Sequence, residues 1–149
     1  MVNFRGDLVS TKTVNGTYPI FNNDRCLIAQ DKDGITYFGY IDKTGKTTIA
    51  PRFLNALNFE NNTAIVLELT RKDVGRNEAL GKNIVYYKYF EVAIDINGAI
   101  KNYLTQDGVN VVLDKKSLRE PPKITSRFIS DNLIATMNMN KKWVVKKIK

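Results

Sequence analysis

The chain reads as short runs in which every second residue is apolar, separated by turn residues; no long stretch repeats its apolar positions at helical spacing. Residues 35–41 are β-branched and aromatic, and Asp42-Lys43-Thr44-Gly45-Lys46 follows them. A glycine late in such a loop supplies the positive φ of a short bulged hairpin, so residues 35–49 are expected to form one. Residues 63–69 make a second strand. The longest pattern runs from Ile84 to Ile96. Ile84, Tyr86, Phe90, Val92, Ile94 and Ile96 share one face, broken only by Lys88; Val85, Tyr87, Tyr89, Glu91, Ala93 and Asp95 share the other. Asn97-Gly98 directly after it is a strong hairpin signal, with residues 99–104 returning. Further strands are expected at 109–113, 133–137 and 143–148, the last two joined through Asn138-Met139-Asn140. Residues 71–82 are polar and read as a loop or short helical turn, and Pro121-Pro122 excludes a regular ladder around 115–123.

These patterns predict an all-β fold of consecutive antiparallel hairpins with little helix. Phe38, Ile41, Phe59, Ile65, Phe90, Val92, Ile94 and Trp143 are expected to be buried.

A longer periodicity underlies the strands. Phe21-Asn22-Asn23-Asp24-Arg25-Cys26-Leu27-Ile28-Ala29, Phe59-Glu60-Asn61-Asn62-Thr63-Ala64-Ile65-Val66 and Phe128-Ile129-Ser130-Asp131-Asn132-Leu133-Ile134-Ala135 share one form: an aromatic, an Asn/Asp-rich turn, then a small-apolar strand. Each is followed by a connection and a second, aromatic-bearing strand: Tyr37-Phe38-Gly39-Tyr40-Ile41-Asp42, Tyr89-Phe90-Glu91-Val92-Ala93-Ile94-Asp95, and Lys142-Trp143-Val144-Val145. Gly39-Tyr40-Ile41-Asp42-Lys43-Thr44-Gly45-Lys46, then Ile49 and Pro51-Arg52-Phe53, closely resemble the unit of the bacterial WG-repeat family. Phe38 stands at that unit's tryptophan, and Trp143 with Val144 stands for Trp-Gly in a third, degenerate copy. The resemblance implies one domain over residues 1–149, built from two or three degenerate WG-like repeats at about 21–58, 59–127 and 128–149. It implies a hairpin assembly with an interaction role and no reaction. Gly39, lacking a Cβ, would allow a neighbouring backbone to approach, and Asp42 would satisfy the amides of its own turn.

Composition narrows the function. The 149 residues are 43% apolar, enough for one folded domain. There is no histidine, which removes the commonest general base and most transition-metal sites; no cofactor or metal is expected. Cys26 is the lone cysteine and lies in an apolar run, as a buried thiol in a reducing compartment would. Residues 1–7 carry no apolar leader and no apolar run is long enough for a membrane span, so the reading is cytoplasmic and without a membrane partner. Glycines are scattered among turns and form no phosphate cradle, and no nucleophile motif occurs. An enzyme is therefore not expected.

The net charge of +8 is uneven. Residues 1–114 hold 13 basic and 13 acidic side chains, whereas residues 115–149 hold 10 basic ones against Glu120 and Asp131. Lys141, Lys142, Lys146 and Lys147 surround Trp143, and Tyr87 and Tyr89 occupy the less apolar face of their strand. These six are the candidate binding residues. They point to a macromolecular binding module for a protein partner with acidic character, of the inhibitor or immunity kind. The alternative is nucleic-acid binding through the basic C-terminal region, where lysines neutralise phosphates and an aromatic stacks on a base. Lysines on a terminal strand also discourage edge pairing between chains, and the sequence leaves that bland role open. Oligomeric state is not readable from it.

Overall fold

The computed structural model describes residues 21–77, 79 and 81–148. Residues 1–7, read above for a leader, and Lys149 lie outside them. The described residues contain no helix. Their strands are β1 Phe21–Asn22, β2 Arg25–Lys32, β3 Ile35–Ile41, β4 Thr47–Phe53, β5 Ala64–Asn77, β6 Lys82–Ile94, β7 Ile100–Tyr103, β8 Val109–Val111, β9 Arg127–Ser130, β10 Leu133–Met137 and β11 Trp143–Lys147. They form three antiparallel sheets. The first has the order β1-β2-β3-β4 and the last β11-β10-β9. In the middle sheet β6 pairs with β5 along one edge, while β7 and β8 share its other edge. The hairpins expected at 35–49, 84–104 and 133–148 are present.

One segment departs from expectation. Residues 71–82 are not a loop: β5 continues to Asn77 and β6 begins at Lys82, opposite it. On the β5 side Arg71, Lys72, Asp73 and Gly75 are exposed, so this part of the strand requires no apolar side chains and its alternation disappears while backbone pairing to β6 persists. A bulge between Asp73 and Arg76 takes up the irregularity, with Gly75 at φ 105°.

The repeat is most visible in its turns. In residues 42–46, Asp42 N donates to Lys46 O (2.9 Å) and Gly45 N to Asp42 O (3.0 Å). Asp42 Oδ1 accepts from Thr44 N (2.9 Å) and Lys46 N (3.1 Å). Asp95 repeats all four bonds with Ala99, Gly98 and Asn97, and Asn138 repeats them with Lys142, Lys141 and Asn140. The hydrogen bond from the Thr44 hydroxyl, reinforced by the two amides, holds the Asp42 carboxyl below its ordinary pKa. The fourth residue of each turn is left-handed: Gly45 (φ 85°), Gly98 (89°) and, against its steric preference, Lys141 (59°). The two-residue turns after the repeat's first aromatic also meet. Asn62 N donates to Asn23 Oδ1 (3.1 Å), and Asn61 Nδ2 donates to Asp131 Oδ1 (2.8 Å).

These turns correct the third copy. The five-residue turn follows β10 directly, so this copy is one strand shorter than the others. Trp143 opens the strand after the turn, the place of Thr47 and Ile100, and not the place of Phe38. All three of those residues are exposed, and Trp143 is 55% accessible rather than buried as expected. Phe90 is half-buried: it packs against the core and meets Tyr103 edge to face, centroids 5.7 Å apart. Phe38, Ile41, Phe59, Ile65, Val92 and Ile94 are buried as expected.

The core is organised around the middle sheet. Ala64 and Val66 of β5 and Val92 and Ile94 of β6 face Leu27, Tyr40, Ile49, Phe53 and Phe59. Ile65 and Ala93, on the opposite face, pack with Leu104, Ile134 and Ile148. Leu67 joins Ile35, Leu54 and Leu118. Tyr40 is fully buried; its hydroxyl donates to Leu57 O (2.5 Å) and desolvation raises its pKa. Gly39 sits where β3 and β4 change register, and a Cβ there would fall on the Ile49 carbonyl oxygen and 2.7 Å from Pro51 N.

Three substitutions test these packing and turn assignments. Gly39→Ala drives a methyl into rigid backbone and should lower unfolding free energy by about 1–3 kcal/mol or more in urea titration, the usual cost of overpacking. A neutral result would show that β4 is not held so close. Lys141→Gly relieves a left-handed residue and should stabilise by about 0.5–1 kcal/mol, whereas Gly45→Ala should destabilise. Equal signs for the two would refute the equivalence of the turns.

Candidate functional site

Tyr87 and Tyr89 lie on the face of β6 shared with Leu69 of β5 and Val111 of β8. Tyr89 is half-buried on the cluster of Ile35, Leu54, Leu67 and Leu118, and burial, with Glu91 adding, raises its hydroxyl pKa. It is in part a packing residue. Tyr87 is also half-buried and helps line a groove of about 450 Å³ with Tyr86, Lys88 and Val112. A second groove, of about 460 Å³, is lined by Lys72, Lys88, Phe90 and Tyr103 with Thr70 and Thr105. Sequence reading missed it. Its one signal was Lys88, which interrupts the apolar face of β6 where that face leaves the core. Glu68 shares that side of the sheet; burial raises its pKa against the pull of Arg52, and its Oε2 has no hydrogen-bond partner. Among the described residues, no group of three His, Cys, Asp or Glu side chains is placed to hold a metal ion.

The basic end forms a different surface, on the last sheet. The structure separates the four lysines by role. Lys141 and Lys142 are exposed at the turn between β10 and β11. Lys147 is exposed on the outer face, in register with Leu133. Lys146 points the other way, and its ammonium donates to Leu104 O (3.0 Å) and, more weakly, to Tyr103 O (3.4 Å). It ties β11 to the end of β7 and is not free for a ligand. On the outer face, Trp143 pairs with Met137 and Val145 with Ala135, and Trp143 and Val145 are 55% and 56% exposed. Among the described residues, no carboxylate forms an ion pair with Lys141, Lys142 or Lys147. An apolar pair with lysines at either end of its strand, unpaired among the described residues, is therefore open to solvent. The two tyrosines belong to the middle sheet and are not part of it.

Arg25 and Arg52 of the first sheet reach across to the second repeat. Arg25 Nε donates to Ile96 O and Arg52 Nη2 to Gly98 O, both at 3.0 Å, clasping the 95–99 turn.

Comparison with known proteins places the repeat. A family described as WG containing repeat matches residues 38–68, which run from the middle of β3 through its turn and β4 to the start of β5. The match covers Gly39, the Asp42 turn and Phe59, the residues whose structural work is set out above. No curated protein and no solved structure matches the chain.

The split among the lysines is measurable. Lys146→Met should cost about 0.5–1.5 kcal/mol of stability, the worth of an ordinary hydrogen bond. Lys142→Gln and Lys147→Gln should stay within about 0.5 kcal/mol of wild type, as exposed substitutions do. Indistinguishable denaturation curves for all three would remove Lys146 from its structural role.

Proposed function

We propose that the protein is a binding module without catalytic chemistry of its own, engaging a partner protein by surface complementarity as inhibitors and immunity proteins do. The observation that supports this reading is the outer face of the last sheet, where Trp143 and Val145 are more than half exposed amid unpaired lysines. Exposed aromatics with an apolar surround and a charged rim are the composition of protein interfaces. A β-repeat scaffold suits the role, because its hairpins supply rigid strands on which such a surface is held. An acidic partner complements the excess of ten basic over two acidic side chains in residues 115–149.

A second reading, nucleic-acid binding, draws on the same surface. Lys142 adjoins Trp143 in the chain, and Lys147 and Arg127 are exposed on the same sheet, whose indole is more than half exposed and could stack on a base. Trp143 is the only tryptophan, so its emission reports this surface directly. The protein is titrated with a protein partner recovered by affinity capture and, separately, with a random single-stranded oligonucleotide. Binding of the protein partner should shift Trp143 emission to the blue as the indole leaves water, with little response to the oligonucleotide at physiological salt. Quenching by the oligonucleotide that disappears steeply with salt would favour the second reading. A bound protein that leaves Trp143 emission unchanged would remove this surface from the function.

A further inference from the structure

We propose that β11 is a docking edge, on which an extended acidic segment of a partner protein adds as a further strand. The inference rests on the protein-binding reading above and specifies how the partner is held.

The pairing pattern defines the edge. Asn138 N donates to Lys142 O (2.9 Å) and Ile148 N donates to Asn132 O (2.7 Å), so even-numbered residues of this strand turn their backbone groups toward β10. The N–H and C=O groups of Trp143, Val145 and Lys147 consequently point away from the sheet, where β11 is the terminal strand among the described residues. The same three residues carry their side chains on the outer face. One strand thus offers outward backbone donors and acceptors beside an exposed apolar pair, which is the arrangement that takes up an added strand.

Proteins usually blunt such an edge with proline, a bulge or an inward-pointing charge. β11 contains no proline, and its pairing with β10 runs through five consecutive residues without a register shift. The inward-pointing charge, Lys146, is neutralised as a guard by its bonds to the carbonyls of Tyr103 and Leu104. β4, by contrast, carries both Pro51 and a bulge. What remains at β11 is Lys141, Lys142 and Lys147, and these select the occupant. A second copy of the chain would set these lysines against its own, which like charges across a strand pair disfavour. In antiparallel register, two apolar residues that cover Val145 and Trp143, with a carboxylate opposite Lys147 on one side and carboxylates beside Lys142 and Lys141 on the other, satisfy the surface.

The probe is an acetylated, amidated peptide, Glu-Thr-Val-Thr-Val-Glu-Glu, titrated into the protein while Trp143 emission is followed; laid antiparallel to β11, its first glutamate faces Lys147, its valines face Val145 and Trp143, and its last two glutamates reach Lys142 and Lys141. Two further peptides carry N-methyl groups, one on its valines and one on its threonines. Opposite Trp143 and Val145 the valines present the N–H groups that bond to β11, so valine methylation should weaken binding about tenfold or more, and threonine methylation much less. Val145→Pro removes an outward N–H at an edge position that tolerates proline. It should keep the wild-type circular dichroism and lose peptide binding to the same degree. Should that variant not fold, the methylated pair decides alone.

The proposal is overturned by any of four results: no saturable response to the unmodified peptide, equal binding of the two methylated peptides, stronger response to an oligonucleotide than to the peptide, or self-association that Val145→Pro abolishes. If the peptide fails and a captured protein partner still binds the Val145→Pro variant, the edge is refuted and the protein-binding reading stands. If the captured protein binds neither wild type nor variant under any salt condition, both fall together.

Discussion

Burial of one strand pair on both of its faces is the constraint on which the rest depends. At residues 64–67 and 92–94, β5 and β6 are inaccessible to water on either side. One face packs on the first sheet and the other on the last, so neither outer sheet needs to bury both of its own faces. A hairpin repeat of this size cannot make a core alone, and stacking on the middle copy solves that for all three. Polar bonds follow the same route. Glu91 is buried on β6, where its carboxylate accepts from Thr125 Oγ1 and Ser126 N, both at 2.9 Å, and Ser126 Oγ donates onward to Thr136 of β10. A buried carboxylate is tolerable only when so satisfied, and this one holds the 125–126 segment between two sheets.

The turns set the relation between copies. Asp42, Asp95 and Asn138 impose one hydrogen-bond pattern on three different sequences. The shorter Asn/Asp turns touch in a row from Asn23 to Asn62 and from Asn61 to Asp131. The clasp of Arg25 and Arg52 on the 95–99 turn joins the first copy to the second. Lys146 does the corresponding work between the second and the third. The shortened third copy leaves β11 at the end of the stack, with no further copy to cover it among the described residues.

Most strands and their hairpins were legible because one face of each is apolar and their turns carry Gly, Asn or Asp. What was not legible shares one cause: the signal belonged to tertiary surroundings. β5 beyond Thr70 lost its alternation where it leaves the core, although it stays paired to β6. Trp143 looked like the repeat's packing aromatic because Asn138 and Lys141 disguise a turn that Asp and Gly announce elsewhere. Lys146 resembled its neighbours in composition, and only its direction, toward the Leu104 carbonyl, distinguishes it. Of the candidate site, Lys141, Lys142 and Lys147 are exposed, while Tyr89 is in part a packing residue.

Native-state hydrogen exchange tests the central claim most directly, because it ranks the strands by the free energy needed to open each amide. The amides of residues 65–67 and 92–94 should be the slowest in the molecule and exchange together through global unfolding, while the outward amides of Trp143, Val145 and Lys147 exchange fast. Slower exchange in β3 or β10 than in the β5–β6 pair, or protection of those outward amides in the free protein, would contradict it.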